Sequence, residues 1–95
     1  MLLIDLDSQA SASLWCGVQR GCLRPSSASM LLNEFPVQQA IRPTSVPHLD
    51  LITGSIELAN ADLVLCDVKG RELTLKRLLR EPRSRYDLII LDCPH

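Results

Sequence analysis

Three apolar runs stand out along the chain. Leu2 to Asp7, Leu49 to Thr53 and Tyr86 to Asp92 are each nearly continuous in hydrophobic residues and are followed by loop-forming ones. Continuous runs of this length suit strands of a parallel sheet that are buried on both faces. Helical spacing fills the intervals. Gln9 to Cys16 is rich in Ser and Ala and suits a loop leading into a helical turn, and Gly17 to Ser27 reads as a surface loop. Ser27 or Ser29 can cap a short helix through Met30, Leu31, Leu32 and Glu34 that Pro36 stops. Val37 to Ile41 adds one more turn, and Pro43 and Pro47 bracket a linker in which no regular element is expected. Ser55 is placed as an N-cap, with Ile56, Ala59, Asn60 and Leu63 on one stripe of a helix ending near Asp67 to Gly70. A third helix is expected from Arg71 to about Glu81, with Leu75, Leu78 and Leu79 inward, Glu72 spaced to pair with Lys76, and Pro82 as its end. The order β, helix, β, helix, helix, β predicts an α/β layer structure: a parallel sheet with flanking helices.

Composition narrows the setting. Ninety-five residues make one domain or part of one. A hydrophobic fraction of 46% supplies a core, but with one Phe, one Trp and one Tyr it must be built mainly from Leu, Ile, Val and Ala. A formal net charge of -1 gives no global pull toward nucleic acid or anionic lipid. Cys16, Cys22, Cys66 and Cys93 form no C-x-x-C pair and no cysteine–histidine cluster for zinc, which suits a reducing cytosol better than a disulfide scaffold. Asp5 interrupts the opening apolar run too early for a signal peptide or a membrane span.

Candidate chemistry sits at the strand ends. Asp7 and Asp92 each close an apolar run, and ligands of open α/β sheets bind at the carboxyl ends of strands. Mg²⁺ takes hard oxygen ligands, commonly one or two carboxylates plus substrate phosphates and water. Two strand-end aspartates fit one Mg·nucleotide site. Asp5 reads either as a further acid of that site or as a strand residue hydrogen-bonded by neighbouring backbone. A phospho-accepting receiver domain also carries strand-end acids, but 84 residues lie between Asp7 and Asp92, about twice what such a domain allows.

Longer stretches carry a resemblance. Leu2-Leu3-Ile4-Asp5-Leu6-Asp7-Ser8-Gln9 resembles the "L-L-x-D-x-D-P-Q" strand and switch of ParA-type partitioning ATPases. The segment from Leu51 to Leu63 is similar to that family's "L-I-P-A-S-I-x-L-A-x-A-E-x-E-L", and Arg71 to Leu79 to its "R-E-x-x-L-K-R-A-L" helix. Tyr86-Asp87-Leu88-Ile89-Ile90-Leu91-Asp92-Cys93-Pro94 resembles its Walker B strand, "Y-D-x-I-I-I-D-C-P-P". The four segments occur in the family's order and span nearly the whole chain.

The resemblance implies a deviant-Walker P-loop NTPase fold of the group that includes MinD, seen here from switch I to Walker B without the phosphate-loop strand. Asp7 then occupies the place of the switch I acid that positions or activates the hydrolytic water. Asp92 occupies that of the Walker B acid holding Mg²⁺ through water, and Asp5 that of a supporting acid beneath the ATP site. The intact family implies ATP and Mg²⁺ as cofactors, a homodimer, non-specific DNA and a ParB-type partner, with no membrane and a cytoplasmic location. Its role is ATP-dependent plasmid or chromosome partitioning.

Departures from the family pattern shape the expectation. The phosphate loop "K-G-G-x-G-K-T" precedes the family's first segment seen here, and no Gly-Lys-Ser/Thr occurs among the 95 residues. That loop supplies the N–H cradle, the phosphate-binding lysine and a Mg²⁺-binding hydroxyl. The expectation is therefore an internal segment that does not hydrolyse ATP alone; the alternatives are a non-catalytic interaction module pairing with a full-length relative, or a divergent receiver. Ser8 stands for the usual proline, and Ala10-Ser11 for Gly-Asn. Seven of the ten cations cluster at Lys69, Arg71, Lys76, Arg77, Arg80, Arg83 and Arg85, interleaved with Glu72, Glu81 and Asp87, which reads as a solvated helix face more than a nucleic-acid stripe.

Overall fold

The computed structural model describes residues 1–33, 35–59 and 68–92. Four strands form one sheet: β1 (Leu2–Asp5), β2 (Arg42–Pro43), β3 (Asp50–Ile52) and β4 (Ile89–Asp92), in the order β2-β3-β1-β4. The helices are α1 (Ser11–Trp15), α2 (Ser27–Asn33), α3 (Val37–Ala40), α4 (Val68–Leu78) and α5 (Pro82–Arg85), with a 3-10 turn at Arg20–Cys22. This is the expected α/β class. The three apolar runs pair in parallel, with Ile4 opposite Ile52 on one side and Leu91 on the other. Parallel neighbours need crossovers that carry the chain back across the sheet, and the helices between them supply these.

β1 lies between β3 and β4, and three of its four residues are buried. Leu2 and Ile4 are fully buried and share a core with Leu6, Met30, Ala40, Ile52 and Leu79. Burying a side chain of that size stabilises by roughly 1.5–3 kcal/mol, so this cluster outweighs the weak propensity of such short helices. α2 divides its apolar residues between two clusters: Met30 enters the main core, while Ala28 packs with Leu58. Leu75, Leu78 and Leu79 do mark the inward face of α4 and its following turn.

Several boundaries differ from the sequence expectation. β1 ends at Asp5 rather than Asp7, because the Asp7 N–H turns back to the Asp5 carboxylate at 3.0 Å. Ser27 does not cap α2; it opens the helix and gives its hydroxyl to the Asp5 carbonyl at 2.7 Å. Ser29 accepts the Ser26 N–H at 3.0 Å, the returning half of a capping box. The supposed surface loop before it ends buried, at Leu23, Ser26 and Ser27.

Residues 42–47 are not wholly irregular. Arg42 and Pro43 pair antiparallel with β3 at the sheet edge, where a proline lacking its N–H is tolerated. The Arg42 guanidinium ties that edge to the earlier loop by donating to the Cys22 and Pro25 carbonyls at 2.7 and 3.2 Å. The Ser55 hydroxyl meets the Ser26 hydroxyl at 3.1 Å, and Ile56 is 78% exposed while Leu58 is buried; most of the helix that Ser55 was expected to cap lies outside the described residues. α4 begins at Val68, three residues earlier than expected, and Gly70 lies inside it. Pro82 starts α5 instead of ending a helix, as suits its fixed φ at a first helical position. β4 is not buried on both faces: Leu88, Ile90 and Leu91 are exposed. Glu34, Asn60, Leu63 and Cys93 to His95 lie outside the described residues, as does the side chain of Glu72.

Candidate functional site

The carboxyl ends of β1 and β4 lie side by side. Asp5 and Asp92 are register partners across the two strands, and the Leu6 N–H donates to the Asp92 carbonyl at 2.9 Å. Asp7 follows two residues after β1 in the loop that leads to α1. The three expected acids therefore lie at or just past the carboxyl ends of β1 and β4, the end of an open α/β sheet at which ligands bind.

The acids differ sharply in surroundings. Asp5 is fully buried, and its carboxylate holds three donors. One oxygen (Oδ1) accepts the Asp7 N–H at 3.0 Å; the other (Oδ2) accepts both the Ser13 N–H at 3.0 Å and the Ser13 hydroxyl at 2.7 Å. A buried carboxylate holding three donors is satisfied by the protein itself. Asp7 and Asp92 are half-buried. Asp7 Oδ1 accepts the Gln9 N–H at 3.1 Å, an Asx turn that fixes the loop and engages one of its two oxygens.

Backbone geometry shapes this loop further. Ala10 is buried and left-handed, with φ 57 and ψ 34, and its N–H donates to the Asp7 carbonyl at 3.0 Å. Gly54, just past β3, packs so close that a Cβ there would fall 2.6 Å from the Asp7 carbonyl oxygen and 2.9 Å from the Asp5 carboxyl carbon. Its N–H donates to the Ser13 hydroxyl at 2.9 Å. The ends of β1 and β3 and the start of α1 are thus knotted through Asp5, Ser13 and Gly54. Sequence reasoning missed Ser13 and Gly54 as members. Glycine directly after an apolar run was a signal for close approach, but nothing local marked Ser13.

Two neighbouring features complete the surroundings. Burial, and then the negative charge of Asp5, push the Cys16 thiol above its ordinary value, so it stays protonated at neutral pH. A cavity of about 610 Å³ lies beside the loop, lined by Ser8, Arg20, Leu23, Arg24, Ser55 and Glu57 among others, with Arg24 and Glu57 ion-paired at its rim. None of the three aspartates lines it.

The donor set suits Mg²⁺ only with outside help. Among the described residues no cluster of three or more His, Cys, Asp or Glu side chains can hold a metal. Asp5 is fully buried behind its three donors, which leaves the half-buried Asp7 and Asp92 as the acids of this group that a ligand can reach. One or two carboxylates completed by phosphates and water is the ordinary arrangement for this ion. Among the described residues, no helix is long and apolar enough to cross a membrane.

Comparison with known proteins gives this geometry a family. The AAA domain family matches the chain over residues 1–95. The sporulation initiation inhibitor protein Soj of Bacillus subtilis is 35% identical over 94 residues, covering 99% of this chain and 37% of that protein. The chromosome-partitioning ATPase Soj of Treponema pallidum is 37% identical over 93 residues, covering 98% of this chain and 36% of that protein. Among solved structures, the cobyrinic acid a,c-diamide synthase of Mycobacterium smegmatis, with bound ATP analogue and magnesium, superposes with a TM-score of 0.85 at 33% identity, over 98% of this chain and 38% of that one. The chain thus spans little more than a third of the length of the relatives it matches. On these matches the chain belongs to the AAA domain family, within the ParA- and Soj-type P-loop ATPases.

Proposed function

We propose that this chain forms the switch I to Walker B portion of a ParA-type ATPase that partitions plasmid or chromosomal DNA in the cytoplasm. The observation that supports this reading is the in-register pairing of β1 with β4, which sets the buried Asp5 opposite Asp92, with Asp7 two residues further along the chain. In this reading Asp92 holds Mg²⁺ through water. The ion supplies charge neutralisation on the phosphate oxygens of ATP when it is bound. Asp7 orients the hydrolytic water and takes its proton on the carboxylate oxygen left free by the Gln9 turn. Asp5 binds no ligand directly; it fixes the loop that carries Asp7. A homodimer, non-specific DNA and a ParB-type partner complete the expected cycle.

The 95 residues contain no Gly-Lys-Ser/Thr, so on their own they lack the phosphate cradle. Titration of the chain with Mg·ATP is expected to give neither micromolar binding nor turnover. Joined behind a phosphate-loop segment, it is expected to hydrolyse ATP. In that longer polypeptide Asp7→Ala should lower kcat by roughly 100-fold or more with little change in KM, the size of a lost general base. Wild-type turnover by the Asp7→Ala protein would sink the assignment.

A further inference from the structure

The segment between β1 and α1 closes on itself. The Asp7 N–H donates to Asp5 Oδ1 at 3.0 Å, and the Gln9 N–H to Asp7 Oδ1 at 3.1 Å. Ala10 then turns left-handed, with φ 57; its N–H donates to the Asp7 carbonyl and its carbonyl accepts the Leu14 N–H, both at 3.0 Å. Ser13, in α1, returns to where the segment began, its N–H and its hydroxyl both donating to Asp5 Oδ2. Residues 5–13 thus form a ring that the Ser13–Asp5 contact shuts.

Several features make that closure stiff. Ala10, at the N-cap, gives α1 no side-chain cap, and the Asp5 carboxylate takes the Ser13 N–H that a helix start leaves open. The Ser13 hydroxyl has one proton and a forced orientation. Gly54 presents it with a backbone N–H, which can only donate, so the hydroxyl accepts there and directs its own proton to Asp5. Asp5 and Ser13 are both fully buried, so bulk water does not compete for these bonds. Gly54 also closes the space beside the Asp7 carbonyl oxygen, where an added Cβ would come within 2.6 Å. The loop that carries Asp7 is therefore held at both ends and packed along one side.

We propose that Ser13 is a positioning residue for the Asp7 carboxylate in ATP hydrolysis, acting through Asp5. The inference rests on the assignment of Asp7 as the acid that orients the hydrolytic water. Ser13 contacts no substrate in this role. It fixes one Asp5 oxygen, and the other Asp5 oxygen fixes the Asp7 N–H. Activating a water requires the base within hydrogen-bond reach of it, and a displacement of about 1 Å can lower the rate about 100-fold. Ser27 supplies the comparison: its hydroxyl also reaches Asp5, but at the carbonyl oxygen and outside the ring, at 2.7 Å.

Two measurements test this. In the 95-residue chain, Ser13→Ala is expected to speed hydrogen exchange at the Asp7 and Gln9 amides at least about tenfold more than at the amides of β1. Ser27→Ala should not separate the two sets. Equal acceleration of both sets in Ser13→Ala would leave the serine a purely structural part and overturn the proposal. In the polypeptide that carries a phosphate-loop segment, Ser13→Ala should lower kcat about tenfold or more while KM changes less than about twofold, at a temperature where circular dichroism shows it folded. Ser13→Thr, which keeps the hydroxyl, should recover most of that loss, and Ser27→Ala should turn over as the parent does. Parent-like kcat in Ser13→Ala beside an inactive Asp7→Ala would overturn the proposal and leave the ATPase assignment standing. Parent-like turnover in Asp7→Ala would overturn both.

Discussion

Ser13 gives both its backbone N–H and its hydroxyl to a single carboxylate oxygen of Asp5, at 3.0 and 2.7 Å. The same hydroxyl oxygen accepts the Gly54 N–H at 2.9 Å. One small side chain therefore joins the end of the central strand, the first helix and the loop after β3. It also explains how a fully buried aspartate is tolerated: its negative charge is met by three oriented donors.

Ser13→Ala removes a hydrogen bond to a buried charge and leaves the Gly54 N–H without an acceptor. The expected cost is about 3 kcal/mol, read as a lowered urea midpoint with unchanged slope. Ser27→Ala, which loses only a neutral hydroxyl-to-carbonyl bond, should cost about 1 kcal/mol. Equal effects from the two substitutions would contradict the special place given to Ser13.

Gly54→Ala tests the close approach of the two strand ends. The new Cβ would meet the Asp7 carbonyl oxygen at 2.6 Å and the Asp5 carboxylate at 2.9 Å, backbone and buried groups that cannot swing aside. Overpacking of this kind costs about 1–3 kcal/mol, and relief requires moving the Asp7 loop. Hydrogen exchange should therefore show the amides of residues 7–10 less protected in the variant than in the parent. Unchanged exchange with unchanged stability would count against the packing described.

Tyr86 gives a pH signature. Burial first, then the hydrogen bond it donates to Asp50 Oδ2 at 2.6 Å and the charge of that aspartate, push its hydroxyl up to about 12. The folded value lies above the unfolded one of about 10. The stabilisation is thus complete below the unfolded value and is lost as pH rises through the folded one. Because Tyr86 is the chain's single tyrosine, tyrosinate absorbance follows it alone. Asp50→Asn should lower the midpoint toward the ordinary value, and a midpoint unmoved by that change would break the link.

Much of this molecule is legible from its residues in order. The three apolar runs, the aspartates that close or follow them and the inward leucines of α4 come from periodicity and chain-local chemistry, which operate within a few residues. The family resemblance was legible for the same reason, since its motifs are contiguous. Tertiary structure decided the rest. The sequence did not indicate that β1 sits between β3 and β4, that Pro43 joins an edge strand, or that β4 leaves Leu88 and Ile90 exposed. Nor did it settle Asp5, which turned out to be held by Ser13, eight residues on, with Gly54 packed against both. A buried polar group takes whatever donor the sheet order brings beside it, and that order is fixed by long-range burial rather than by neighbours in the chain.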